Sequence, residues 1–381
     1  MKRMIYIILA AFTVTNSNAQ TKTVSRIEWR EAATLPPAAG KTVQPGVAGP
    51  VAGISNNVLI VAGGANFPGG MPWEGAPKKY HDDIYIFRKA GNSIAPGEVS
   101  RQRLPQPVAY CASVTTPAGI VYIGGQDEKH ISAKVISVVY DSASGEITFT
   151  TLPPLPVPLT NAAAAYHNHV IYVAGGESVN GPSRTFFSLD ITSPGAAWQT
   201  LPGIPEAVAY TVMAVQRNAV YLLGGRRKNA GGISDIFNTV FRFNLETQQW
   251  SAQKPLPYPV SAGTGLAVGA RDILLFSGDK GATFHRSEEL EVAIAKEKDT
   301  QKKQALLREK AALMTAHPGF TKDVLLYNTA TERCTKINPL SYEGQATTSA
   351  FIWNGNIMIP SGEIKAGVRT PVVMSGKIYF N

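Results

Sequence analysis

The chain has 381 residues, 44% of them hydrophobic, which is enough apolar material for a large core. Two cysteines are too few for a disulfide scaffold or a cysteine-built metal cluster. A formal net charge of +9 suits an anionic ligand, but the basic residues are scattered along the chain, which argues against a nucleic-acid partner.

The chain begins MKRMIYIILAAFTVTNSNAQ. Lys2 and Arg3 precede an apolar stretch from Met4 to Val14, and Ser17 and Ala19 form a small-residue cleavage pattern. Residues 1–19 therefore read as a signal peptide, with an exported, periplasmic protein as the expectation for a Gram-negative source. The apolar run is too short to span a bilayer, and no later segment is long enough, so no membrane insertion is expected. Residues 20–381 read as one domain.

SRIEWREAATLPP (25–37) follows, a strand and a Leu-Pro turn with no strands before it. Then come six short hydrophobic runs, each ending in Gly-Gly or Ser-Gly: VLIVAGG (58–64), GIVYIGG (119–125), VIYVAGG (170–176), AVYLLGG (219–225), DILLFSG (272–278) and NIMIPSG (356–362). Each leads through a polar loop into another strand, as in DIYIF (83–87), VISVVYD (135–141) and KIYFN (377–381). A further strand with a Leu-Pro turn usually comes next, as in ITFTTLPPLP (147–156). Six units of four antiparallel strands predict a β-propeller.

The pattern resembles kelch repeats, in which the outer-strand tryptophans, here Trp198 and Trp250, pack between blades. The fold class is all-β, a six-bladed kelch-type propeller. KIYFN ends the chain without a fourth strand, and 25–33 is a fourth strand without a blade. The N-terminal strand is thus expected to close the last blade, which leaves no open sheet edge.

The fifth interval departs from the repeat. Residues 287–316 carry Leu290, Ile294, Leu306, Leu307 and Leu313 at partly helical spacing. Ser287 before Glu288, Glu289 and Glu291 reads as a helix start, and His317-Pro318-Gly319 as a stop. One long helix or a helical hairpin is expected inside blade five, as a packed cap, a rim over the ligand site or a homodimer contact. Cys111 and Cys334 fall in different repeats at core-like positions and are expected to be free and buried.

The loops after the Gly pairs share one face, where propeller ligands bind. Arg226, Arg227, Lys280, Arg286 and Arg369 are candidates to meet an anion there, and Glu177 and Glu363 to transfer protons. For any single loop charge, a solvated surface group is the plain alternative. The last loop, SGEIKAGVRT (361–370), matches the NGE-x-K-x-G-x-RT segment of the bacterial N-acetylneuraminate epimerases, the sialic acid mutarotases. GGRRKNAGGISDIFNTVFRFN (224–244) and AGPVAGISNNVLIVAGGANFPGG (48–70) also resemble segments of that family. Their order here is that of a cyclically permuted branch.

The resemblance implies interconversion of the α and β anomers of N-acetylneuraminate or a related 2-keto acid sugar. Glu363 would be the proton acceptor and Arg369 the clamp for the sugar carboxylate. The chemistry calls for no metal and no cofactor. Arg226, Asn229 and Arg286 are weaker candidates for the glycerol tail or acetamide, Asn66 and Trp73 for a wall, and Glu177 for a further substrate contact. His81 is either a second proton relay or a packing residue, and Lys365 either assists electrostatically or faces solvent. The alternative from another class is a non-catalytic kelch propeller that binds glycans or proteins.

Overall fold

A computed structural model describes residues 22–381. The expected signal peptide lies outside the described residues. Six four-stranded antiparallel sheets follow one another around a ring: blades one to five span 51–99, 112–152, 163–200, 212–253 and 264–337. The sixth combines 351–380 with Val24–Thr34. This N-terminal strand is the outermost of its sheet and runs antiparallel to Val372–Phe380, with Val24 opposite Phe380 and Thr34 opposite Val372. The expected closure is present. Thr23 Oγ1 and the Val24 N–H both donate to the buried Asp272 of blade five, at 2.6 and 3.0 Å, so the closing strand is also tied to the neighbouring blade.

The inner strands are buried on both faces, as in Leu59, Ile60 and Val61 of blade one. The outer strands are half exposed and pack through aromatic residues. Trp198 Nε1 donates to the Pro153 carbonyl at 2.8 Å, and Trp250 Nε1 to the Pro202 carbonyl at 2.8 Å. Each tryptophan therefore grips the Leu-Pro turn of the preceding blade, the inter-blade packing expected of it. Cys111 and Cys334 are free and partly buried, and burial pushes the Cys334 thiol up to about 12.

The Gly pairs are joints between blades. Gly176 donates its N–H to the Val208 carbonyl of the next blade at 2.9 Å. Gly175, at φ 64°, approaches that same carbonyl so closely that a Cβ would lie 2.2 Å from its oxygen. Only glycine fits there. Blade six has Ser361 at the equivalent position, in the left-handed region at φ 55° and fully buried. Its hydroxyl accepts the Val47 N–H at 2.9 Å and lies 2.7 Å from the Thr370 carbonyl. This side-chain latch joins the last blade to the first.

A second sixfold feature surrounds the axis. Gly49, Tyr110, Asn161, Tyr210, Ala262 and Thr347, one from each blade, all have left-handed backbone, with φ between 49° and 61°. Each N–H donates to the carbonyl of the preceding member at 2.7 to 3.0 Å, and Gly49 donates to Thr347. The result is a closed ring of six backbone hydrogen bonds. Left-handed backbone costs a non-glycine residue about 1–3 kcal/mol, a strain offset here because every ring amide and carbonyl is paired.

Blade five carries a helical hairpin between its second and third strands: α1 (Ala282–Lys296) and α2 (Thr300–Thr315). The helix starts five residues before the expected Ser287. Gly281, at φ 98°, turns the chain into α1, and Ser287 is buried within it. The cause is tertiary: the next residue, Glu288, accepts from Ser234 Oγ at 2.6 Å and from the Ser234 N–H at 2.9 Å, which docks the first turns of α1 on blade four. Asp299 caps α2, accepting the Lys302 N–H at 2.8 Å. Among the described residues, no helix is long and apolar enough to cross a membrane.

Candidate active site at the channel mouth

The backbone ring divides the axial channel. On one side lies a space of about 150 Å³ lined mainly by the first strands. On the other lies a cavity of about 400 Å³ that carries the charged side chains. One position in each blade, immediately after the Gly pair, makes a two-hydrogen-bond bridge to the residue before the ring member. These six residues are Ala65, Gln126, Glu177, Arg226, Asp279 and Glu363. The last five line the cavity. The repeat therefore aims one residue per blade at the mouth, and only the first blade leaves that position apolar.

Blade six elaborates this position into a hairpin, Glu363–Lys365 paired with Val368–Arg369. Gly367 turns it at φ 71°. Glu363 and Arg369 stand directly opposite each other across the hairpin, which places both side chains on one face. Arg369 Nη1 lies 3.0 Å from Glu363 Oε1. The Gly367 N–H donates to that same oxygen at 3.1 Å. The Arg369 side chain is only 3% exposed, against 19% for Glu363.

The guanidinium lies over the Phe67 ring, 4.8 Å from its centroid. Its Nε and Nη1 have no hydrogen-bond acceptor. The contact with Glu363 is thus close enough for an ion pair but misaligned for a hydrogen bond. A buried guanidinium with unsatisfied N–H groups is poised to accept a planar anion.

The walls are aromatic. Burial pushes the Tyr110 hydroxyl up to about 12, although the neighbouring Arg369 pulls the other way, so Tyr110 stays a neutral donor. Burial likewise raises the Tyr210 pKa, against the pull of Arg226. Arg226 is sandwiched between the rings of Tyr210 and Phe284, at 4.0 and 4.6 Å from their centroids. Among the described residues it pairs with no carboxylate. Glu177 accepts from Asn161 Nδ2 at 3.1 Å. The helical hairpin forms a rim as well as a packed cap: Phe284, Ser287 and Met314 line the cavity, while Leu290 is buried.

Glu363, Arg369, Arg226 and Glu177 are thus brought to one cavity, and the other residues singled out from the sequence stand elsewhere. Arg286 lies in α1 and pairs with Glu289 and Glu309 at 2.9 and 2.6 Å. Asn229 donates to the Ile233 carbonyl at 3.0 Å and staples its own loop. Asn66 is buried, bonded to the Gly46 carbonyl at 2.9 Å and to His81 Nε2 at 2.8 Å, so both residues serve a packing network. Trp73 backs the hairpin turn, where a Cβ on Gly367 would lie 3.2 Å from its ring. Arg227 and Lys280 pair with Asp235 and Asp323 at 2.6 and 2.8 Å.

Phe67, Tyr110, Tyr210, Phe284 and His317 line the cavity without having been expected. Only Gln126 and Asp279 carried a usable signal, their place directly after the Gly pair. Among the described residues, no cluster of His, Cys, Asp and Glu side chains is arranged to hold a metal ion.

Fold and site together define a kelch-type propeller whose channel mouth carries a carboxylate beside a buried arginine. The sequence profile of the N-acetylneuraminate epimerase family matches residues 9–147 and 152–381, and the chain belongs to that family. An N-acetylneuraminate epimerase from Haemophilus influenzae is 25% identical over 232 residues, covering 60% of this chain and 59% of that protein. The enzyme of the same name from Vibrio vulnificus is 24% identical over 58% of each chain. A kelch-like protein, terF, from Aspergillus terreus is 26% identical over 85% of this chain. These alignments reach at most 63% of the relatives' own length. The solved structure of YjhT superposes with a TM-score of 0.61 over 91% of this chain and 99% of its own, at 15% identity, a likeness of fold.

Proposed function

We propose that the mouth cavity binds a small anionic sugar and interconverts its α and β anomers, with N-acetylneuraminate or a related 2-keto acid sugar as substrate. The observation that carries this reading is the buried Arg369 guanidinium, short of acceptors and set beside Glu363. A sugar carboxylate at C1 would satisfy Arg369 in a forked contact. That places the anomeric carbon, C2, within reach of Glu363. The carboxylate takes the proton of the anomeric hydroxyl, the bond from C2 to the ring oxygen breaks, and the same proton passes to that oxygen. Rotation about the bond from C2 to C3 followed by closure on the other carbonyl face gives the second anomer. Tyr110 supplies a neutral hydroxyl near the clamp. Arg226, held by blade four opposite blade one, supplies donors for the far end of the sugar.

The family match, relatives that bear the epimerase name and the matched hairpin motif all support this reading. Nuclear magnetic resonance of freshly released α-N-acetylneuraminate measures it directly. The wild-type protein is expected to speed conversion to the β anomer, and Glu363→Gln to lower that rate by about 10²–10⁴-fold while still binding the sugar. Binding by wild type without acceleration would identify a non-catalytic glycan-binding propeller instead.

A further inference from the structure

The cavity contains an imidazole that neither the repeat nor the Glu363 motif anticipates. His317 follows α2, in a tripeptide whose only evident sequence role is to stop the helix. The chain beyond it runs beside the Glu363 hairpin. The Phe320 N–H donates to the Ile364 carbonyl at 3.3 Å, and the Thr321 N–H to the Gly278 carbonyl at 3.0 Å. His317 consequently lines the same cavity as Glu363.

Two contacts orient the ring. Nδ1 accepts the Gly319 N–H at 3.0 Å, and the imidazole packs on Phe320 with centroids 5.4 Å apart. An Nδ1 that accepts a hydrogen bond carries no proton, so the neutral ring holds its hydrogen on Nε2. Nε2 has no protein partner among the described residues. Burial lowers the His317 pKa, with Lys365 acting in the same direction. The carboxylates of Asp279 and Glu363 oppose the shift without reversing it. Protonation of Nδ1 would also forfeit the Gly319 bond.

We propose that His317 is a second catalytic residue, which donates its Nε2–H as a neutral imidazole to the ring oxygen of the sugar as that oxygen gains negative charge. This rests on the mutarotase reading and adds a group to it. Glu363 takes the anomeric hydroxyl proton, and the electron pair of the breaking bond moves onto the ring oxygen. The Nε2–H stabilises that charge until Glu363 delivers the proton. His317 keeps its own proton throughout, because a neutral imidazole is far too weak an acid to give it up. Fixed donors aimed at developing charge are among the larger contributions to catalysis.

Two substitutions in the full chain test this, with anomer exchange read by magnetic resonance and sugar binding read by calorimetry. His317→Phe keeps a ring against Phe320 but removes the donor. It is expected to lower kcat by about 10²–10³-fold with binding nearly unchanged. His317→Gln retains an N–H donor and is expected to recover most of that loss, with the pH profile of kcat unmoved. A His317→Phe enzyme with kcat within twofold of wild type overturns the proposal. So does a His317→Gln enzyme as slow as His317→Phe, since that outcome marks a proton carrier. A wild-type protein that fails to accelerate exchange sinks the mutarotase reading and this proposal together, whereas an active wild type insensitive to His317→Phe sinks this one alone.

Discussion

Blades five and six each place an ion cluster beside their Ser-Gly joint, and the two clusters are built to opposite ends. In blade five, Asp323 Oδ2 receives Lys280 Nζ at 2.8 Å, Lys336 Nζ at 3.0 Å and the Tyr258 hydroxyl at 2.7 Å. Burial works to raise the Asp323 pKa, but these donors outweigh it and hold the carboxyl well below its usual range. In blade six the surplus is reversed: one carboxylate faces a guanidinium with two nitrogens left without an acceptor. A saturated cluster has nothing further to offer a ligand and acts as a brace. An under-satisfied one keeps binding capacity, at a cost in stability that the ligand removes.

Substitutions in the two clusters test this contrast. After Glu363→Gln and His317→Phe, the next largest effect is expected from Arg369→Lys, which keeps a positive charge but loses the planar fork. Calorimetry should show the sugar binding about 10–100-fold more weakly, with little change in melting temperature. Equal affinity would mean that the guanidinium does not hold the carboxylate.

Asp323→Asn should behave in the opposite manner, costing about 1–3 kcal/mol of stability and leaving anomer exchange within about threefold of wild type. The pH dependence follows from the depressed carboxyl. Its contribution is complete above the unfolded value of about 4 and is lost as pH falls toward the lower folded value. Thermal melts from pH 6 downward should show wild type losing stability that Asp323→Asn has already lost, so the two curves converge. Curves that stay parallel would exclude Asp323 as the brace.

The smallest effect is expected at Glu177. It shares the post-glycine position and the cavity with Glu363, yet it sits three blades away, with Asn161 rather than an arginine beside it. Glu177→Gln should change kcat by no more than about threefold, against the 10²–10⁴ of a proton-transfer residue. A larger loss would make the repeat position itself, rather than the hairpin built on it, the source of the chemistry.

Much of the architecture was open to reading because it is written in local pattern. The Gly pairs recur once per blade, and KIYFN lacks the fourth strand that SRIEWREAATLPP supplies. The polar loop that carries Glu363 and Arg369 was likewise visible, since both residues and Gly367 between them lie within seven positions and match a family segment. Arg286 shows where such reading stops. The loop that was to carry it to the ligand is already helical, because Glu288 binds Ser234 across 54 positions of chain. Tyr110 and Tyr210 were passed over for a related reason. Nothing in an isolated tyrosine announces a left-handed backbone, a conformation that only the closed ring of inter-blade hydrogen bonds makes affordable.

The number of blades, the closure by the N-terminal strand and the unusual polar loop after the last Gly pair are all legible in the order of residues along the chain. All three depend on neighbours in the chain: alternation within strands, glycine at sharp turns and a short run of polar residues. Which charges meet was settled by packing between blades. That packing saturated Asp323, left Arg369 short of acceptors, carried Asn66, Asn229 and Arg286 away from the cavity, and set His317 in the cavity that Glu363 lines. Those outcomes depend on burial and on hydrogen bonds between residues far apart in sequence, whose partners exist only once the ring has closed.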